Sequence, residues 1–316
     1  MATTLLELKK ISKYYEKGTQ IIKAVDGIDL ELNKGETLGL VGESGCGKST
    51  TGRLILRLIE PTSGQIFFDG KDITTFNKRE LLMFRKNAQI IFQDCYASLS
   101  PRFKAGDLIT EVLQIHNVGA NAKDRWEIAR EVFEEVSLDE EAMKKYPHEF
   151  SGGQRQRIGI ARAICLNPKM IICDEPVSAL DVSVQAQIIN LMQKIQHEKG
   201  MAYVFISHDL SIVKHISDRI AVMYLGKIVE TASKQVFYNN PIHPYSQALL
   251  SAIPIPNPTI KKERIVIPPE VNTTQYSDGC RFCQRCWKAQ QICHEQTPEL
   301  VEVYSGHKVA CHFAKE

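Results

Sequence analysis

The sequence predicts an α/β protein built on a mostly parallel sheet. Short apolar runs with the character of buried strands alternate with helical patterns along the chain. Three of these runs, at 37–41, 170–173 and 202–206, end in a glycine-rich turn or in polar residues. Because ligands bind at the carboxyl ends of parallel strands in such folds, these three ends are the first places to look for chemistry.

The remaining elements follow in order along the chain. Ile28, Leu30 and Leu32 alternate with polar residues, which is typical of a half-buried strand. The glycine-rich turn after 37–41 leads into a predicted helix. The other predicted elements are the helix at 50–58, strands at 65–70 and 90–92, and a helical region at 107–146 that Pro147 ends.

Composition limits the possible functions. The net charge of +2 provides no global basic field, so a nucleic-acid partner is not expected. No apolar run reaches the roughly 18 residues that span a bilayer, and the N-terminus lacks a secretory pattern. We therefore expect the chain in the cytoplasm or on a cytoplasmic membrane face. Nine cysteines in that compartment point to metal binding or catalysis before disulfides.

A phosphate-binding loop follows the strand at 37–41. The residues Gly42-Glu43-Ser44-Gly45-Cys46-Gly47-Lys48-Ser49, followed by Thr50, match the pattern G-x-x-x-x-G-K-[ST]. The glycines expose backbone N–H groups to phosphate oxygens. Lys48 offers a positive charge to the β- and γ-phosphates, and Ser49 offers a hydroxyl to Mg²⁺.

Carboxylates and a histidine follow the two later strands. Asp174 is suited to hold Mg²⁺ through its water shell, and Glu175 beside it is suited to activate a water. The alternative is an ordinary helix N-cap pair, since Pro176 comes next. His208 is placed to reach a γ-phosphate, although a lone histidine is more often structural.

The tetrapeptide Ser151-Gly152-Gly153-Gln154 predicts a second phosphate contact. Ser151 can cap a helix, the glycines allow close approach of backbone N–H groups, and the helix end brings a partial positive charge. A plain N-cap with a glycine-rich turn is the alternative.

Taken together, these motifs resemble the nucleotide-binding subunits of ABC transporters. The phosphate loop, Gln93, the SGGQ tetrapeptide, the strand at 170–175, the stretch 178–181 and His208 stand in that family's order. The resemblance implies a RecA-like core, an antiparallel β subdomain and a helical subdomain at about 96–160. It also implies that Gln93 senses Mg²⁺ and the transmembrane partner, and that Asp181 belongs to a dimer-contacting loop.

Tyr15 matches the aromatic residue that stacks on adenine in this family. An ordinary strand aromatic is the alternative, and Tyr14 is the neighbouring candidate.

Further stretches narrow the resemblance to the peptide-permease ATPases, most closely their second ATPase subunit. These stretches are 92–102, 146–150 and 243–254. Cys95 departs from the family, which usually has proline there. The resemblance implies a nucleotide-binding domain at 1–253 and a C-terminal extension at 254–316 that begins with a proline-rich linker.

The family's arrangement explains the SGGQ tetrapeptide. Two cassettes meet head to tail, and each ATP with its Mg²⁺ lies between one chain's phosphate loop and the other chain's SGGQ. The resemblance implies that Lys48, Gln93, Glu175 and His208 act in hydrolysis, with Ser49, Gln93 and Asp174 around Mg²⁺. The implied partners are a sister ATPase, two transmembrane permease subunits and an extracytoplasmic peptide-binding protein. The chain would then lie peripherally on the cytoplasmic face of the membrane.

The C-terminal extension is rich in cysteine and histidine. Thiolates at short intervals suit zinc or iron–sulfur ligation. The spacing is similar to that of the peptide-permease ATPases, some of which hold a [4Fe–4S] cluster, and this implies four ligands with Cys283 as the spare. Zinc and unliganded thiols are the alternatives. The four implied ligands are Cys280, Cys286, Cys293 and Cys311, with His294, His307 and His312 nearby.

Other functions stay open from sequence alone. A soluble ABC ATPase of DNA repair or translation would usually show a coiled-coil insertion or two cassettes, and neither pattern is seen. An iron–sulfur protein with a regulatory nucleotide site fits poorly with the full set of catalytic residue types. An importer of another cargo, such as nickel, would look the same, because the ATPase subunit does not touch the cargo.

Overall fold

The computed structural model describes residues 3–18, 20–94, 98–253, 264–269 and 278–315. Cys95 and most of the proline-rich linker lie outside these ranges. The strands are β1 (Thr4–Lys17), β2 (Gln20–Asn33), β3 (Thr37–Val41), β4 (Ser63–Phe68), β5 (Lys71–Asp72), β6 (Ala88–Ile91), β7 (Met170–Asp174), β8 (Ala202–Ser207), β9 (Arg219–Tyr224), β10 (Lys227–Ser233), β11 (Val301–Tyr304) and β12 (His307–Val309).

Ten α-helices occur in the described part of the chain. They are α1 (Lys48–Ile55), α2 (Lys78–Asn87), α3 (Ala105–Ile115), α4 (Ala122–Glu135), α5 (Gly152–Ile164), α6 (Val182–Lys199), α7 (Leu210–Ile216), α8 (Lys234–Asn239), α9 (Pro244–Ser251) and α10 (Gln291–Glu295). Within the described ranges, no helix combines the length and the apolar composition needed to span a bilayer.

The chain divides into two compact units. The first contains Met1–Leu5, Leu32–Thr37 and Phe68–Ile206, and the second contains Leu6–Glu31, Leu38–Phe67 and Ser207–Glu316. The whole described part of the C-terminal extension belongs to the second unit. The expected domain boundary after residue 253 stays a prediction.

The first unit contains three parallel strands in the order β8-β7-β6. Ile91 lies opposite Cys173, and Asp174 lies opposite Ile206, so the carboxyl ends of these strands share one edge. Every residue of β7 is buried, because the strand is apolar as far as its final aspartate. The unit therefore presents Gln93, two residues after β6, and Glu175, the first residue after β7, at the same edge.

The sequence pattern predicted one continuous helical region at 107–146, but the structure contains two separate helices there, α3 and α4. Asn117 (φ 53°) and Ser137 (φ 59°) adopt left-handed backbone conformations after α3 and α4. Asparagine tolerates the left-handed region better than most residues do, which suits Asn117. A second asparagine, Asn121, then caps α4, and its side chain accepts from the N–H groups of Lys123 and Asp124. The three helices α3, α4 and α5 contact one another and form a helical cluster.

The second unit contains strands in the order β11-β12-β10-β9-β3, and a further sheet in the order β2-β1-β4. Strand β3 runs parallel to β9, and β9, β10, β12 and β11 pair antiparallel in succession. The C-terminal extension thus adds two strands to the edge of β10, where Glu230 lies opposite Val309. These two strands were not predicted from the sequence.

A buried contact between a carboxyl group and a histidine anchors the extension at this edge. Glu230 is fully buried, and its carboxyl group lies 2.7 Å from Nε2 of His307. The same carboxyl group accepts from the N–H groups of Ile242 (2.8 Å) and His243 (3.0 Å), so its oxygens are hydrogen-bonded on several sides. His307, which lies near the cysteines in sequence, is thereby engaged in packing the extension.

Candidate functional site

The phosphate loop connects β3 to α1 in the second unit. Lys48 begins α1 and is only 4% exposed. Its Nζ donates to the carbonyl oxygens of Gly42 (2.8 Å) and Glu43 (2.7 Å) and lies 3.7 Å from Sγ of Cys46. The ammonium group is therefore held inside the loop, at the place where a phosphate oxygen would compete for it.

The loop's shape requires glycine at position 47. Gly47 has a φ of 109°, and a Cβ atom there would lie 2.2 Å from the carbonyl oxygen of Ala24. Both the conformation and the close approach exclude a side chain. The other predicted loop residues occupy the expected places: Ser44 and Gly45 are exposed, Cys46 is buried, and Ser49 and Thr50 lie half-buried in the first turn of α1. Burial raises the pKa of the Cys46 thiol, although Lys48 opposes the rise.

The two candidate adenine-stacking tyrosines have different surroundings. Tyr14 is half-buried, and its hydroxyl donates to the carboxylate of Asp26. Burial and this hydrogen bond raise the pKa of Tyr14. Tyr15 is 41% exposed, with Nζ of Lys13 5.1 Å above its ring. Of the two, Tyr15 is the more exposed to solvent.

The acidic strand end lies in the first unit. Asp174 ends β7 and is 5% exposed, and Glu175 follows with a left-handed φ of 47°. Such a conformation is rare for a glutamate and is a form of local strain. Nε2 of Gln93 donates to Oε2 of Glu175 over 3.1 Å. The structure thus brings together two of the residues that the sequence singled out.

The N-cap alternative for Asp174 and Glu175 is wrong. Helix α6 begins at Val182, and Asp181, not Asp174 or Glu175, is its N-cap residue. A turn separates the strand end from the helix, in which the N–H and hydroxyl groups of Ser178 both donate to the carbonyl of Glu175. Asp181 itself is exposed and forms no side-chain capping bond.

The SGGQ tetrapeptide begins α5 with a reciprocal capping box. Oγ of Ser151 accepts from the N–H of Gln154 (3.3 Å), and Oε1 of Gln154 accepts from the N–H of Ser151 (3.0 Å). Both side chains are exposed. A Cβ atom on Gly153 would lie 2.6 Å from Cγ1 of Val184. Ser151 therefore caps α5, as both interpretations of the tetrapeptide require, and the capped helix end is exposed to solvent in this chain.

His208 lies in the second unit, directly after β8. The residue is exposed, and the following Asp209 caps α7 by accepting from the N–H groups of Ser211 and Ile212. The strand and the capped helix fix the backbone on either side of the histidine. Its imidazole is accessible, as the sequence-based role requires.

The cysteines of the extension lie near one another. The N–H of Cys280 donates to the carbonyl of Cys293 over 2.7 Å. Burial raises the pKa of the Cys280 thiol to about 12, and the thiols of Cys283, Cys293 and Cys286 add to the rise. Burial likewise raises the pKa of Cys286 and of Cys311, with the Cys293 thiol contributing to both. Five thiols therefore lie close enough to affect one another's pKa, and cysteine sulfur is a donor that zinc and iron–sulfur clusters use.

Their geometry does not form a ready site for a single ion. Among the described residues, no three Cys, His, Asp or Glu side chains are arranged to hold one metal ion. A zinc ion with Zn–S bonds of about 2.3 Å needs four sulfurs within about 4 Å of each other. An iron–sulfur cluster attaches its thiolates to different iron atoms and so tolerates wider spacing. The donor chemistry therefore fits metal ligation, while the single-ion geometry is not present.

One feature of the loop has no signal in the sequence. The guanidinium of Arg285, in the C-terminal extension, donates to both carboxylate oxygens of Glu43 over 2.8 and 3.0 Å. The hydroxyl of Tyr245 accepts from the N–H of Glu43 over 2.9 Å. Because the two ion-pair partners are 242 residues apart, no local pattern could reveal their contact.

Comparisons with known proteins agree with this architecture. A family model described as ABC transporter matches residues 25–178, and one described as the C-terminal region of oligopeptide/dipeptide transporters matches residues 229–293. The chain is 51% identical to the oligopeptide transport ATP-binding protein AppF of Bacillus subtilis (strain 168), with 98% of this chain and 97% of the relative covered. It is 49% identical to the oligopeptide transport ATP-binding protein OppF of the same organism, with 98% and 97% covered.

Among solved structures, the ATP-binding cassette MJ0796, dimeric and bound to ADP and Pi, is similar with a TM-score of 0.67. The two chains are 29% identical, and the match covers 73% of this chain and 99% of that one. The fold, the phosphate loop, the SGGQ helix and the acidic strand end define an ATPase of the ATP-binding cassette class. The chain belongs to the ABC transporter family, within its group of oligopeptide transport ATP-binding proteins.

Proposed function

We propose that this chain is the ATP-hydrolysing subunit of an ABC importer of peptides. The observation that carries the proposal is the match of residues 229–293 to the C-terminal region of oligopeptide/dipeptide transporters. That region lies beyond the motifs shared by all ABC ATPases, so it favours peptides over other cargoes. The near 50% identity to oligopeptide transport ATP-binding proteins over almost the whole chain supports the same assignment.

The phosphate loop binds the nucleotide in this proposal. Backbone N–H groups of residues 42–50 and the ammonium of Lys48 contact the phosphates of ATP. Ser49, Gln93 and Asp174 hold Mg²⁺, either directly or through its waters. The exposed ring of Tyr15 stacks on adenine.

Glu175 polarises the attacking water. The contact from Gln93 orients its carboxylate, which is the group that accepts the proton of the water. His208 steadies the γ-phosphate from its exposed position. Most of the catalysis then comes from positioning and from stabilisation of charge on the transferred phosphoryl group.

The exposed capping box supports a contact in trans. Ser151, Gly153 and Gln154 lie at a solvent-facing helix N-terminus, where the helix dipole favours an anion. We assign this helix end to the nucleotide of a partner cassette, and Asp181 to the contact between the two cassettes. A sister ATPase subunit is the proposed partner, so ATP joins the halves and hydrolysis loosens them.

The proposed assembly also contains two transmembrane permease subunits and an extracytoplasmic peptide-binding protein. This chain lies peripherally on the cytoplasmic face. We assign a [4Fe–4S] cluster to Cys280, Cys286, Cys293 and Cys311, with zinc as the alternative. The cysteine donor set supports ligation, because zinc and iron–sulfur clusters are both held by cysteine sulfur, and the group would add cross-links that stabilise the extension.

Purification of the tagged chain from membranes of its own cells tests the proposal. The expected result is co-isolation of two permease subunits and a second, non-identical ATPase. Hydrolysis by this complex should rise when a loaded peptide-binding protein is added, and a mixed peptide library is the first ligand to use. Stimulation by nickel-loaded protein alone, or isolation with DNA or ribosomes in place of permeases, would overturn it.

A further inference from the structure

Arg285 binds Glu43, the second residue of the phosphate loop, in a two-pronged ion pair. Its Nη1 and Nη2 atoms donate to the two carboxylate oxygens over 2.8 and 3.0 Å. The Arg285 side chain is 9% exposed and that of Glu43 is 34% exposed. A paired fork of this kind fixes both the direction and the charge of the carboxylate.

Arg285 is itself held in place. Its Nε donates to the carbonyl of Pro268 over 2.8 Å, and its Nη1 lies 3.3 Å from the hydroxyl of Tyr224. The guanidinium also stacks over the Tyr224 ring at 5.7 Å. These contacts restrict the Arg285 side chain, so it loses little conformational entropy when it pairs with Glu43.

The backbone of Glu43 belongs to the nucleotide-binding loop. Its carbonyl accepts from Nζ of Lys48 over 2.7 Å, and its N–H donates to the hydroxyl of Tyr245 over 2.9 Å. The side chain of Glu43 therefore starts from a residue in direct contact with the phosphate-binding lysine. Without a partner, this carboxylate would add a negative charge beside the site for a triphosphate, and the two would repel.

A second arginine of the same segment contacts the turn that supports the loop. The guanidinium of Arg281 donates to the carboxylate of Asp26 and to the carbonyl of Leu225. The next residue, Gly226, donates its N–H to the carbonyl of Cys46 over 2.8 Å. The C-terminal extension thus contacts the phosphate loop directly at Glu43, near its beginning, and contacts the turn that supports the loop at Cys46.

We propose that Arg285 is a positioning residue for nucleotide binding. It holds the Glu43 carboxylate away from the phosphates and neutralises its charge, so that the loop accepts an anionic nucleotide. The inference rests on the proposed nucleotide site and extends it to the C-terminal extension, which acts on ATP affinity through this ion pair. It does not depend on the transported cargo.

The test measures ATP affinity of the full chain by displacement of the fluorescent probe trinitrophenyl-ATP. Arg285→Met is expected to weaken Mg-ATP binding about tenfold. In the membrane complex the same variant should raise KM for ATP while kcat at saturating ATP changes less than about twofold. Glu43→Gln alone leaves the Arg285 cation without its carboxylate beside the phosphate loop, so it should tighten Mg-ATP binding.

The double variant separates this role from a merely structural one. Arg285→Met with Glu43→Gln should bind ATP within about threefold of the unchanged chain, since no unpaired carboxylate is left. The matched control is Arg130→Met, which breaks an ion pair with Glu127 (2.9 Å) in the other unit and should leave ATP affinity unchanged.

Two results would overturn the inference. They are unchanged affinity in folded Arg285→Met, and failure of Glu43→Gln to restore the affinity that Arg285→Met loses. If Arg285→Met does not fold, Arg285→Lys replaces it: about threefold weaker binding, restored by Glu43→Gln, is expected, and wild-type affinity contradicts the inference. Failure of the proposed transport function would look different, because ATP binding would follow this pattern while peptide uptake was absent.

Discussion

Nε2 of Gln93 lies 3.1 Å from Oε2 of Glu175, although 82 residues separate them. The contact follows from the parallel pairing of β6 and β7, which brings both strand ends to one edge. Glu175 adopts a left-handed backbone conformation there, with φ at 47°. An oriented carboxylate at this edge fits the role in water activation that we propose for Glu175.

Replacement of Glu175 by Gln removes the base but keeps the hydrogen-bonding shape. We expect phosphate release to fall by about 10²- to 10⁴-fold, the usual contribution of a general base, and ATP to stay bound in a closed dimer. Phosphate release and size-exclusion chromatography with retained ATP check this. Glu131→Gln, on the exposed surface of α4, is the control and should turn over normally. Unchanged turnover in Glu175→Gln would exclude the assigned role.

Ser151→Arg places a long cation at the exposed end of α5. Turnover should be lost, because a partner's nucleotide could no longer approach the helix end, while ATP binding at this chain's own loop should persist. Asn121→Arg is the matched control: it places the same cation at the exposed start of α4, where the lost cap costs about 1 kcal/mol, and should retain turnover. Nucleotide titration beside an ATPase assay distinguishes the two effects. Loss of ATP binding in Ser151→Arg would contradict the contact in trans.

His243 makes stability depend on pH. It caps α9 by accepting from the N–H of Tyr245 through Nδ1, and burial lowers the pKa of His243 to about 4. Since an unfolded histidine titrates near 6.5, the unfolded chain binds more protons between these values. The free energy of unfolding should therefore fall as the pH drops below about 6.5, by about 2 kcal/mol at pH 5 from this residue.

His243→Asn provides the measurement, because Asn can cap the helix but does not titrate. Urea unfolding at pH 7.5 and pH 5 should show a smaller loss of stability in this variant than in the unchanged chain. The exposed His215→Asn variant is the control and should lose stability like the unchanged chain. Equal losses in all three proteins would show that His243 is not responsible.

The cysteine-rich extension makes a prediction about metal. An anaerobic preparation should be brown, absorb in the blue part of the visible spectrum, and contain iron and sulfide. Cys286→Ser should lose the colour, and Cys283→Ser, the spare cysteine, should keep it. Iron and zinc analysis of the three proteins decides the matter. A colourless protein with one zinc would select the alternative, and a metal-free protein would exclude both.

The central strands and the motifs at their ends could be predicted from sequence, because runs such as 170–174 are apolar throughout and end in polar residues. Strand β1 was missed: Lys9, Lys10 and Lys13 interrupt the alternation of its buried leucines. Strands β11 and β12 are short and gain their stability by pairing with β10, which is distant in sequence. The contact between Arg285 and Glu43 could not be predicted for the same reason, since the two residues are distant in sequence and meet only in the folded chain.

Peptide uptake by the reconstituted complex tests the central claim most directly. Proteoliposomes would contain the complete complex with ATP enclosed on the side of the ATPase subunits, and the loaded peptide-binding protein outside. The account predicts accumulation of labelled peptide with ATP, and none with a non-hydrolysable analogue or with Glu175→Gln in this chain. ATP hydrolysis without uptake of any member of a mixed peptide library, or uptake that Glu175→Gln leaves unchanged, would contradict it.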